Sequence, residues 1–198
     1  MKKIIALLLF STLLISCSFP SYIFEDNSSK TGLNLKEGKW LLNEIDEPTN
    51  INSGAKNVTL TNLTKHLGNR LSYIYDVKGL ILPKKIELNP NKKTLQLIKT
   101  GSGFDFFINV KINIKKNSLQ DFDLSNHRYN KNLSKSVELF FEVYDLNNPE
   151  IIYSKKVTGS IKINDNNNSD INFSKSTSKM VLGCLNKVLK DINRKSIK

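Results

Sequence analysis

An alternating run at residues 104–114 constrains this chain more than any other stretch. Phe104, Phe106, Ile108, Val110, Ile112 and Ile114 fill every even position, and the odd positions are polar except Phe107. Successive side chains of an extended strand point to opposite faces, so a period of two specifies a strand with one buried face. Residues 137–143 repeat the pattern, and residues 145–150 form a turn cluster ahead of a third run at 151–163. The last two runs therefore read as a hairpin. Three such strands present one apolar face, and something must cover it.

Two helical stripes are available for that cover. Leu60, Leu63, Leu67, Leu71 and Ile74 are spaced 3, 4, 4 and 3, with Thr59 or Thr61 placed to cap the start. Met180, Val181, Cys184, Leu185, Val188 and Ile192 form the second stripe. Lys187, Lys190, Arg194, Lys195 and Lys198 gather toward its end, where the helix dipole favours cations. Residues 39–45 read as a short strand stopped before Pro48. Leu80, Ile81 and Leu82 begin another strand, broken at Pro83 and resumed at residues 86–88. Asn89 and Pro90 start a short helix through Leu95 and Ile98, which ends before Gly101 and Gly103. Residues 117–135 read as a long polar loop. The expected fold is α+β, a single mixed sheet in the order β-α-β-α-β-β-β-α, covered by two long helices. Residues 38–198 form its one domain.

The amino terminus carries a different message. Lys2 and Lys3 precede twelve residues, 4–15, of apolar character. A hydrocarbon core of ~30 Å takes about 20 residues to span, so residues 1–16 read as a signal peptide. They end in Leu14-Ile15-Ser16-Cys17, which resembles the lipobox of bacterial lipoproteins. That resemblance implies a diacylglycerol on the Cys17 thiol, cleavage before Cys17, and attachment to the membrane through acyl chains. The alternatives are a secretory peptide with a chance cysteine and an uncleaved anchor. The position of Cys17 directly after the apolar run favours the lipobox. Residues 17–37 then read as a lipidated flexible tether. Ser18, where an Asp would signal inner-membrane retention in well-studied sorting systems, resembles an outer-membrane address facing the periplasm. Surface exposure stays open.

The formal charge is +12, or +10 once Lys2 and Lys3 are set aside. Such a balance favours anionic partners, yet the basic pairs Lys84-Lys85, Lys92-Lys93, Lys115-Lys116 and Lys155-Lys156 fall in different elements. A generic solvated surface is the stronger reading. Nucleic acid conflicts with export, and no recognition motif accompanies the charge.

Little in the chain offers chemistry. Cys184 lies within an apolar helical stripe and reads as a buried thiol. His66 lies on the polar face of its helix with no ligand partner at metal spacing. Asp121, Asp123 and His127 lack further ligands, so no metal site is expected. Gly101-Ser102-Gly103 follows a helix instead of opening one, which makes it a helix end and not a phosphate loop. No catalytic constellation and no cofactor-binding motif appears, so no enzyme is expected.

Gly103-Phe104-Asp105-Phe106 and the hairpin segment from Asp145 to Ser154 add a family likeness. They resemble a recurring pattern of envelope proteins, a Gly-Ala-Asp-Tyr-hydrophobic strand followed by a hairpin ending Asp-x-x-Thr-Gly-Glu-Val-hydrophobic-aromatic-Ser, with Phe104 here in place of the Ala and Asn148-Pro149 in place of the turn Gly. The order and pattern over residues 39–193 are similar to the anticodon-binding-like domain found in three groups. These are the TolB amino terminus, CsgG-type curli-secretion lipoproteins and lipoprotein activators of penicillin-binding proteins. The resemblance implies a non-enzymatic accessory or assembly factor that binds a protein partner in outer-membrane or cell-wall biogenesis. The alternative is a lipoprotein that binds an anionic glycan or lipid through its basic surface.

Overall fold

The computed structural model describes residues 20–25, 32–83, 86–123, 128–164 and 176–197. The signal peptide and the lipobox residues Leu14 to Cys17 lie outside them. The strands are β1 (Ser21–Glu25), β2 (Trp40–Leu42), β3 (Leu71–Tyr73), β4 (Phe106–Asp123), β5 (Arg128–Asp145) and β6 (Glu150–Asn164). The helices are α1 (Ala55–Leu67), α2 (Lys92–Ser102) and α3 (Thr177–Lys195). All six strands join one mixed sheet in the order β1-β6-β5-β4-β2-β3. The chain order is the expected one with an added edge strand, β1, in front.

The alternating runs form the middle of the sheet. Val110 faces Phe141, and Ile112 faces Leu139, across the antiparallel β4–β5 pair. Their face is one core with Val157 and Ile161 of β6, and α1 and α3 both pack onto it. Burial of Met180, Val181, Cys184, Leu185, Val188 and Ile192 follows the expected stripe of α3. The opposite face carries a second core near β2. There Leu41, Phe107, Tyr144 and Leu146 pack against Leu95 and Ile98 of α2. Phe107, the one apolar odd position, thus serves this second core. The two long helices share one face, and the short α2 covers part of the other.

Several local expectations are corrected. The stripe from Leu60 to Ile74 is not one helix, because α1 stops at Leu67 and Gly68 takes φ 57. Leu71 and Ile74 still pack on the first core, but from β3 and the 3-10 turn Ile74–Asp76. The helix begins at Ala55, where Ser53 Oγ accepts the Ala55 N–H at 3.1 Å. Thr59 is no cap. It is buried, and its hydroxyl donates to the Ala55 carbonyl. Residues 80–82 and 86–88 are not strands, and β3 takes the place expected for them. α2 is capped by Asn91, whose side chain accepts the Thr94 N–H at 2.9 Å, not by Asn89. Gly103 closes α2 at φ 70, as a helix end should.

Two longer stretches also differ. Residues 117–123 and 128–135 are strand where a loop was expected: β4 and β5 stay paired out to Asp123 and Arg128. A backbone ladder needs only a partner strand, and no apolar alternation announces it there. Within residues 17–37, Ser21–Glu25 pairs along β6 from Ser160 to Lys156. Leu33 and Leu35 are buried, and Leu35 N–H bonds the Ile197 carbonyl at 2.9 Å. Chain beside the sheet replaces free tether at these positions.

Candidate docking groove

Beyond β2 the chain does not leave the sheet. Asn43 N–H bonds the Ile108 carbonyl at 2.9 Å, and Asp46 N–H bonds the Val110 carbonyl at 3.0 Å. The segment therefore runs beside β4 and displays Glu44, Asp46 and Glu47 in quick succession. The 3-10 turn after β3 stands opposite with Ile74 and Tyr75, and Pro83 and Ile86 complete a groove of ≈ 540 Å³.

Buried hydrogen bonds brace one wall. Asn109 on β4 is buried, yet an unpaired amide there would carry a desolvation cost of about 1–3 kcal/mol. It donates to the Ile86 and Glu87 carbonyls at 3.3 and 3.2 Å, and its oxygen accepts from Asn43 Nδ2 at 3.0 Å. Glu142 and the Tyr144 hydroxyl, which bond each other, both accept the Asn89 N–H. A segment without regular structure is held against the sheet this way.

The rim is open. Tyr75 is 67% exposed, and outside the lining Ile81 is 81% exposed. The Tyr75 hydroxyl donates to Glu44 Oε2 at 2.6 Å, and that hydrogen bond holds the phenol pKa above its usual value. Lys111 spans Asp46 at 3.5 Å and Glu87 at 3.3 Å. Ser53 donates to Glu47 at 2.6 Å. The Ile81 N–H bonds the Gly101 carbonyl of α2, and Leu97 lies one turn before Gly101 on the same helix face. Leu97 is 53% exposed as well. Apolar rim and carboxylate lining suit a chain segment that brings aliphatic and basic side chains. Nothing in the groove pairs a nucleophile with a base.

The residues singled out from the sequence are not gathered here. Cys184 is fully buried in the core, and burial pushes its thiol pKa up to about 12. His66 is half-buried and bonds Asn193 of α3 at 2.7 Å, so it joins two helices where a solvated histidine was expected. The side chains of Asp121 and Asp123, and all of His127, lie outside the described residues. Among the described residues no cluster of three His, Cys, Asp or Glu could hold a metal ion. Lys84, Lys85 and the side chain of Lys116 lie outside the described residues. Lys115 and Lys156 both bond Glu138 at 2.9 Å, on the sheet face away from α3. Burial pushes the Glu138 carboxyl up, but those two lysines together hold it below the ordinary value. The groove residues Glu44, Asp46, Glu47 and Tyr75 carry no functional mark in the sequence. The adjacent polar pair Tyr75-Asp76 after an apolar stripe is the signal the sequence offers.

No helix among the described residues is long and apolar enough to cross a membrane. No protein-family model matches the chain, and no curated protein matches it. Solved structures with a similar course include the PelC dodecamer from Paraburkholderia phytofirmans. It has a TM-score of 0.44 at 11% identity over 91% of this chain and 100% of that one. The hypothetical protein CT253 from Chlamydia trachomatis gives 0.43 at 13% identity, over 80% and 98% of the two chains. Lipoprotein GNA1162 from Neisseria meningitidis gives 0.40 at 13% identity, over 79% and 99%. At TM-scores below 0.5 none of them assigns this chain a residue role or an activity.

Proposed function

We propose that this protein is a lipid-anchored, non-enzymatic component of the bacterial envelope. It binds a protein partner in outer-membrane or cell-wall assembly, on the periplasmic side. The lipobox ending at Cys17 supports the anchor, and the hairpin likeness to envelope assembly domains supports the class. The observation that carries the binding role is the groove, where Tyr75 stands exposed beside Ile74, Pro83 and Ile86 over a carboxylate lining. Large exposed apolar side chains beside fixed polar groups are the usual make-up of a recognition patch. The segment that fits is apolar with one or more lysines or arginines.

Two measurements test this reading. Intact mass of the purified protein should show acyl chains on an amino-terminal Cys17. A photo-crosslinking residue at position 75 should give one discrete adduct in cells, lost on Glu44→Lys with Asp46→Lys. The same residue at position 92 should give none. Equal adducts from both positions would remove the groove as the binding site.

A further inference from the structure

The opposite edge of the sheet carries a second surface of different chemistry. Tyr22 and Phe24 of β1 turn toward α3 and pack on the first core. Lys187 of α3 donates to the Tyr22 carbonyl, and its ammonium lies 5.0 Å from the centre of the Phe24 ring. Lys155 lies 6.0 Å from the same ring. Phe24, Lys187, Lys190, Asp191 and Arg194 line a hollow of ≈ 380 Å³ between the strand and the helix. The one carboxylate in the lining is drawn inward: Asp191 is buried and bonds Tyr153 at 3.1 Å, Lys195 at 2.8 Å and, more loosely, Arg194 at 3.4 Å. Lys190 and Arg194 are one turn apart and exposed. An aromatic ring among cations at the mouth of a hollow suits a phosphate-bearing group.

Chain length says where that group would come from. Cys17 is four residues before Ser21, and four residues reach at most about 14 Å. An acyl anchor on Cys17 therefore brings the β1 edge within about 14 Å of the lipid surface, not the length of a twenty-residue tether. The groove edge at β3 is five strand spacings away, about 24 Å at ~4.8 Å each. Rooted at β1, the sheet presents its basic seam to the headgroups and its groove away from them. Each Lys or Arg near an anionic surface adds about fivefold in membrane affinity.

We propose that the seam between β1 and α3 is a docking surface for anionic phospholipid headgroups. It rests on the reading of Cys17 as acylated. The acylated protein is reconstituted with a fluorophore at Asn186→Cys, an exposed position one turn before Lys190, and vesicles carry a headgroup-level quencher. Cys184 is buried and does not compete for the label. Quenching is expected in vesicles containing phosphatidylglycerol and strongly reduced with the charge reversal Lys190→Glu, an exposed position outside the Asp191 ion pairs, whose melting temperature stays that of the parent. A label at Asn147→Cys, in the β5–β6 turn, should stay unquenched in both. Equal quenching in neutral vesicles, or in the charge-reversed variant, overturns the docking surface. Protein whose mass shows acyl chains but whose label at 186 is unquenched overturns it alone. Protein without acyl chains overturns the anchor and this surface together.

Discussion

The ring of Tyr22 on β1 lies directly on Gly183 of α3, where a methyl group would fall among the ring atoms. The same ring limits Gly159 on β6, whose Cβ would come within 2.9 Å of both Tyr22 Cε1 and Cys184 Sγ. The edge strand is thus keyed to helix and sheet by two missing side chains. Gly183→Ala isolates the contact. Alanine should favour the helix by about 1 kcal/mol, so a simple propensity argument predicts a gain. Displacing a packed ring costs about 1–3 kcal/mol and should prevail. Urea unfolding should show a net loss, with faster amide exchange along β1 and its partners in β6. A variant as stable as its parent would show that Tyr22 does not hold the edge.

Val110 and Phe141 offer a test of the first core. They are cross-strand partners and neither is exposed. Phe141→Ala should destabilise by about 3–5 kcal/mol, the usual cost of emptying an aromatic site in a core. Val110→Asp adds a buried charge with no partner and should abolish the cooperative thermal transition. A sharp melt in the aspartate variant would mean that this face is not sealed by α1 and α3.

Much of this core is legible in the sequence because periodicity reports burial. The even residues from Ile108 to Ile112 and the stripe from Met180 to Ile192 each have one buried face and therefore one period. β1 is harder to read, since Tyr22 and Phe24 are only two inward positions and a polar stretch follows them. The Leu60-to-Ile74 stripe misleads for another reason. Its residues all reach the same core, but Gly68 ends the helix and the last two arrive by a different backbone. The candidate groove is nearly invisible, because Glu44, Tyr75 and Pro83 come from segments with no period. Asn109 and Asn43 tie the Ile86 end of the groove to the sheet, and Tyr75 is tied to Glu44, through partners distant in the chain.

Asp191 gives the acid side of the stability profile. Burial pushes its carboxyl pKa up, but the bonds from Lys195 and Tyr153 outweigh that and hold it below the ordinary carboxylate value. A lowered folded-state pKa means stability that is complete above about pH 4 and is lost as pH falls through the folded value. Asp191→Asn keeps an acceptor for Tyr153 but surrenders the ion pair. It should cost about 1–3 kcal/mol at pH 7. Below pH 4 the gap between the two proteins should narrow. Parallel stability curves from pH 7 down to pH 2 would refute the assignment.

Cys184 supplies a further measurement that joins fold to anchor. The chain has two cysteines, Cys17 and Cys184. Cys184 is fully buried, its thiol donates to the Val137 carbonyl at 3.8 Å, and its pKa is pushed up to about 12. At pH 8 only about one molecule in 10⁴ would then carry the thiolate, and no reagent reaches it in the folded state. On Cys17 a thioether would remove the other thiol altogether. Titration with a disulfide reagent at pH 8 should therefore find no reactive thiol in the native acylated protein and one in urea. The appearance of that one thiol should follow the global unfolding curve, because no smaller opening uncovers the interface of α3 with β5 and β6. One fast-reacting thiol in native protein would place a free sulfur at Cys17, and two in urea would confirm that it carries no lipid.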